Sequence, residues 1–196
     1  MGSSRSWLRL LLPGVLATAG TVQAAAQVGS LSPTQVISLA ATRPTQLTLS
    51  ILSGSTQTLP GLTDNAANSF PTPVVLQTSW DLNPGQTGSV RIVGWFSNPA
   101  QALFSPTGGP IPSLRMKGRV TGTGAVPLAF TAFTQNPIGG VGSAGGSLQL
   151  VNVTIAGPNK QATQTNNLDL QLDLTGAPVL LPGTYSGTLN IRAVTQ

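Results

Sequence analysis

Proton-moving and metal-binding side chains are drawn mainly from His, Cys, Glu, Asp and Lys, and the first three are absent from the 196 residues of this chain. What remains is Asp64, Asp81, Asp169, Asp173, Lys117 and Lys160. Asp169 and Asp173 fall in a stretch of alternating apolar and polar residues, which places both on the polar face of one strand, well separated along it. Glycoside hydrolysis needs two carboxyl groups flanking a cleft, so this pair reads as solubilising charge. Asp64, Asn65 and Asn68 offer oxygen atoms of the kind Ca²⁺ takes, but their spacing matches no EF-hand loop and one formal charge is present, so turn chemistry is the better reading. No catalytic residue, metal site or cofactor is expected, and the chain does not read as an enzyme.

Three further groups of residues have binding chemistry. Trp80, Trp95 and Tyr185 are the aromatics able to stack on a sugar; alternation sets Trp80 inward with Val74 and Leu76, which leaves Trp95 and Tyr185 as candidate ligand-binding residues. Arg115, Lys117 and Arg119 alternate along an expected strand without aromatic partners, so they read as a solvated face and not as a nucleic-acid site. The run from Gly139 to Gly146 has neither a P-loop lysine nor a following helix, and reads as a flexible hairpin loop. Asn152-Val153-Thr154 fits the N-glycosylation pattern but lies inside an expected strand, and is read as a chance match.

The elements that must position these residues are mostly strands. Charged residues make up 7% of the chain, against about 25% in an average soluble domain, and Gly and Pro are plentiful. Leu, Ile, Val and Phe still suffice for a packed core. Period-two alternation recurs between Pro, Gly and Asn punctuation. It is clearest over Asn167 to Thr175, where Leu168, Leu170, Leu172 and Leu174 share one face. Leu47, Leu49 and Ile51 form a second run, and Val74 to Trp80 a third. Ser89 to Phe96 and Ser147 to Ile155 each change face part-way, the mark of a bulge or of burial on both sides. Leu128, Phe130 and Ala132 suggest another strand, and Thr184 to Val194 a last one with Tyr185, Leu189 and Ile191 on one face. Asn83-Pro84-Gly85 and Pro182-Gly183 read as turns. Seven or eight short strands without crossover helices predict an all-β, antiparallel β-sandwich of Greek-key, Ig-like type.

At the amino end, Arg5 and Arg9 precede an apolar stretch from Leu10 to Ala19, and Ala24-Ala25-Ala26 offers a cleavage site before Gln27. This is the layout of a signal peptide, too short to span a bilayer. It divides the chain into a leader at 1–26 and one sandwich domain at 27–196. The formal charge of +5 includes both leader arginines, so the remaining excess is small. Export to the periplasm, cell surface or medium is expected, with no transmembrane helix in the mature chain.

The residues Leu181-Pro182-Gly183-Thr184-Tyr185-Ser186-Gly187-Thr188-Leu189-Asn190-Ile191 resemble the final strand of the spore coat protein U and pilin-like family of exported bacterial domains, in which a Pro/Ala-Gly-Thr-Tyr turn leads into an alternating last strand. The resemblance implies an Ig-like sandwich, often incomplete, whose subunits assemble by donating a strand to a neighbour, and it implies surface attachment, not catalysis. Trp80-Asp81-Leu82 also resembles the Trp-x-Leu signature of bacterial cell-wall-associated β domains, which carry two such motifs where this chain has one.

The expected function is that of an exported structural or adhesive surface protein that associates with itself or with other surface subunits, with Gln35 to Ile51 or Thr184 to Val194 as the exchanging segment. The alternatives are a carbohydrate- or ligand-binding sandwich using Trp95 or Tyr185, and, ranked lower, a small outer-membrane β-barrel, whose aromatic girdles a chain with 5% aromatic residues is poorly equipped to form.

Overall fold

The computed structural model describes residues 38–41, 45–82, 85 and 87–196. The expected leader and its cleavage site lie outside the described residues, as do Asn83 and Pro84 of one expected turn. A compact unit spans Thr42–Gln196. Of the unit Met1–Ala41, the four described residues have no regular secondary structure.

The chain is all-β and its sheets are antiparallel. The strands among the described residues are β1 (Gln46–Ser53), β2 (Ala67–Ser69), β3 (Val74–Asp81), β4 (Gly88–Trp95), β5 (Leu103–Ser105), β6 (Gly109–Ile111), β7 (Met116–Thr121), β8 (Thr131–Ala132), β9 (Ser147–Ile155), β10 (Gln161–Asp173) and β11 (Asn190–Thr195). The larger sheet runs β1-β3-β10-β7-β8, with β2 also on β10; the smaller runs β11-β4-β9; and β5 with β6 makes a separate hairpin. Neither path closes on itself among the described residues.

Alternation decides which faces meet. In β3, Val74, Leu76, Thr78 and Trp80 are buried and the residues between them are not. β10 continues the pattern with Leu168, Leu170 and Leu172 buried, and Leu174 just beyond the strand is buried as well. At thirteen residues, β10 is longer than its Leu-rich half suggested. Its polar first half pairs with β3, while its apolar second half pairs with β7 and β2. The change of face in β9 is a bulge: Ile92 pairs with Val151 and Val93 with Gln149, so Leu150 is the extra residue. Leu150 and Val151 thereby both reach the core.

The two apolar faces form an interior consistent with a β-sandwich. Leu76, Leu168, Leu172 and Val120 from the larger sheet share one cluster with Ile92, Leu148 and Val151 from the smaller. Each fully buried Leu or Ile contributes about 1.5–3 kcal/mol. Phe133 enters from beyond the end of β8, fully buried, with its ring edge-on to Phe96 at 5.2 Å between centroids. A Cβ on Gly94 would lie 3.1 Å from the Phe133 ring, and one on Gly118 would lie 3.4 Å from its other edge. Glycine on each sheet is what admits the ring between them.

Two expected strands differ from observation. The segment around Leu128 and Phe130 is strand only at Thr131–Ala132. Leu128 is 75% exposed, and Phe130 instead lies beneath the Arg119 guanidinium, 4.8 Å from its ring centroid. Phe133, outside the expected alternation, is the residue that enters the core. At the carboxyl end the strand begins at Asn190 and not at Thr184, for a reason that concerns the site.

Truncating Phe133→Ala should lower the unfolding free energy by about 3–5 kcal/mol, and Gly94→Ala should cost about 1–3 kcal/mol by overpacking. Urea denaturation of both variants tests this; a cost below about 1 kcal/mol for Phe133→Ala would show that the ring does not organise the core.

Candidate binding cleft

The interior is not sealed. At the end of the sheets where β1 and β10 finish and β3 and β11 begin, a cavity of about 960 Å³ opens between the layers. Its inner wall is core: Val74, Leu170 and Leu172 from the larger sheet, Met116 at the start of β7, and Phe96 just after β4. Its lips include Ile51, Leu62 and Leu181, which are 47%, 39% and 60% exposed. Asp64 is the one charged side chain among the described lining residues. Such a lining suits an extended or flexible apolar group and offers no acid–base pair.

One lip is the Pro-Gly-Thr-Tyr segment. Ser186 exchanges two backbone hydrogen bonds with Phe104 of β5, at 2.8 and 3.0 Å, and the Thr107 hydroxyl donates to the Pro182 carbonyl at 3.1 Å. Gly183 lies against Ser105 and Thr107, and Gly187 against the Ala102 carbonyl, whose oxygen occupies the place a Cβ would take. Tyr185 lies over Gly108 and donates its hydroxyl to the Leu181 carbonyl at 3.0 Å. These close approaches fasten residues 182–187 to the β5–β6 hairpin. That is why the last strand starts later than alternation implied.

The two aromatic candidates are not brought together. Tyr185, half-buried, lines the cleft. Trp95 is also half-buried, but alternation places it on the outer face of the smaller sheet, opposite Ser147 and Asn190. Trp80 is buried, and its indole N–H donates to the Asn159 carbonyl at 2.7 Å. The lining residues Leu59, Leu62, Phe70 and Leu180 escaped the sequence reading because they lie in irregular segments rich in Pro, Gly, Ser and Thr, with no period to mark them.

The polar groups considered above serve the scaffold. The Arg119 guanidinium donates twice to Asp169, at 2.8 and 3.1 Å, and the Lys117 ammonium bonds Asp173 across β7 and β10. Arg115 lies in a 3₁₀ turn before β7, not on the strand, and donates to the Thr175 carbonyl. Asn68, on β2, accepts from the Thr63 N–H and donates to the Ala66 carbonyl; Asn65, at φ 51°, accepts from the Gly176 N–H; and Asp64 accepts from the Leu180 N–H. In the glycine-rich run, Ile138 and Val141 exchange backbone hydrogen bonds around Gly139-Gly140, and the Ser143 hydroxyl bonds the Phe96 carbonyl. Among the described residues no group of three His, Cys, Asp or Glu side chains converges as a metal site, and no helix is long and apolar enough to cross a membrane.

Compared with protein-family models and with curated proteins, the chain matches none.

The Lys117 ammonium, then the Thr175 hydroxyl and N–H, hold the Asp173 carboxyl well below the ordinary carboxylate range. A depressed carboxyl stabilises fully above its unfolded pKa, about 3.9, and loses that contribution as pH falls below it. Asp173→Asn should therefore be less stable than the parent at pH 7, with the gap closing as the pH is lowered below about 4. A gap unchanged between neutral and strongly acid pH in denaturant titrations would remove the charge as its cause. Gly187→Ala should lift residues 182–187 from the hairpin, speeding backbone amide exchange at Phe104 and Ser186; unchanged exchange at both amides would contradict the clamp.

Proposed function

We propose that the protein is an exported, non-enzymatic structural subunit, associating at a surface when an extended segment of a neighbouring subunit lies in the cleft between its sheets. The observation that carries this reading is the cleft itself: an opening whose inner wall is the hydrophobic core and whose apolar lips stand in solvent. Exposed apolar surface continuous with a core marks an interaction site. An extended strand with alternating apolar side chains is a natural occupant of a space between two sheets. The likeness of Leu181 to Ile191 to the spore coat protein U and pilin-like family, whose Ig-like subunits exchange strands, supports the same reading. The anchoring of residues 182–187 to β5 favours the amino-terminal side of the chain as the exchanging element; since Gln46 to Ile51 is committed to β1, the proposed donor is the stretch before it, residues 27–41.

A second reading, a ligand-binding sandwich, rests on Tyr185 at the cleft. It assigns the space to an apolar small molecule instead of a strand.

A synthetic peptide of residues 27–41, added at about a hundred times its dissociation constant, should stabilise the protein by about 2.7 kcal/mol, raising the melting temperature by roughly 5–10 °C. The variant Leu181→Asp, altered at an exposed lip, should fold and lose the shift. Calorimetry that shows no shift at saturating peptide, with an apolar probe such as a long-chain fatty acid producing one, would overturn the assembly reading in favour of the second.

A further inference from the structure

Among the described residues, β1 ends the strand order of the larger sheet, pairing with β3 on one side and with no strand on the other. Edge strands of monomeric proteins are guarded by charge, proline, brevity or bulges, because their unpaired N–H and C=O groups template another strand. Gln46–Ser53 reads Gln-Leu-Thr-Leu-Ser-Ile-Leu-Ser. It contains no charge, no proline and no glycine. Its one irregularity is a register shift between Ile51 and Ser53, which leaves Gln46 to Ile51 regular.

The regular part is self-complementary. Directly opposite residues of an antiparallel pair point to the same face, so a twofold axis through Leu49 sets Leu47 against Ile51 of a second copy, Leu49 against Leu49, and Thr48 against Ser50. Leu47 and Leu49 pack on the two core clusters, and Ile51 lines the cleft. The apolar row would thus continue across the axis, while the exposed hydroxyls of Thr48 and Ser50 would meet on the outer face. Centring on Ser50 instead brings the irregular Leu52 into the ladder opposite Thr48, an apolar–hydroxyl mismatch.

We propose that β1 pairs with β1 of a second copy, antiparallel about Leu49, joining the two larger sheets into one. This goes beyond the cleft reading: it uses the backbone edge of β1, which meets the cleft at Ile51. Strand donation is head-to-tail and open-ended, whereas edge pairing is isologous and closes at two. A ladder this short belongs to the small, transient class of interface.

Sedimentation equilibrium of the full chain across a concentration series tests it, with Thr48→Lys/Ser50→Lys, Thr48→Lys/Ser50→Asp and Leu181→Asp in parallel. The parent should dimerise. The double lysine variant should dimerise roughly tenfold or more weakly, because two like-charged pairs then face each other. The lysine–aspartate variant should recover, since each introduced cation meets an introduced carboxylate. Circular dichroism and urea midpoints check that these exposed substitutions leave the fold intact. A parent that stays monomeric, or two double variants that lose association alike, overturns the proposal. Association lost in Leu181→Asp but kept in the double lysine variant overturns it too, and leaves strand donation standing. A dimer that obeys the charge pattern while the 27–41 peptide fails to bind removes the cleft reading alone.

Discussion

With no cysteine to cross-link it, the compact unit depends on contact between two apolar sheet faces, and that contact is organised around one ring. Phe133 fills the space between Gly94 on the smaller sheet and Gly118 on the larger, touching Phe96 edge-on. A side chain at either glycine would crowd the ring, and a smaller residue at 133 would leave the layers facing a void. The bulge at Leu150 serves the same contact by sending two consecutive side chains of β9 inward. Ion pairs play a different part. Arg119–Asp169 and Lys117–Asp173 lie on the outer face, partly exposed, where such pairs contribute little. They tie the register of β7 to that of β10.

The packing that closes the centre leaves one end open. There the chain runs through Pro- and Gly-rich segments, 54–64 and 180–189, that line the space without forming strands. One of them is held by glycines that let backbone meet backbone, as Gly187 does at the Ala102 carbonyl. One side of the opening, at Leu181, is therefore presented by an anchored loop, and the opposite lip, Ile51, by β1.

Much of the fold was legible in the sequence because alternation is a direct imprint of a half-buried strand. Leu168 to Leu174, Val74 to Trp80 and Leu47 to Ile51 all lie where period two put them. The face change in Ser147 to Ile155 announced its bulge. Legibility failed where tertiary contacts overrode local pattern. Phe130 and Phe133 are indistinguishable in a sequence that cannot show Arg119 lying over one and two glycines accommodating the other. Thr184 to Leu189 alternates as a strand does, yet Gly183 and Gly187 dock it on the hairpin. The cleft was invisible, since its loop residues, far apart in sequence, become neighbours only in the folded chain. Trp95 and Tyr185, grouped by chemistry, are separated by topology.

β10 is the strand on which the larger sheet converges, and it lies late in the chain: Gln161 pairs with Asp81, and Asn167 with Thr121. β11, later still, pairs Asn190 with Trp95. A ribosome adding roughly 5–20 residues per second thus completes β3 and β7 well before β10, the strand that joins them, exists. The hairpin of β1 and β3 available in that interval is marginal by itself, and contacts so distant in sequence form slowly. The larger sheet therefore cannot be completed until β10 has been made, and the order of synthesis leaves its assembly to the closing stretch of the chain.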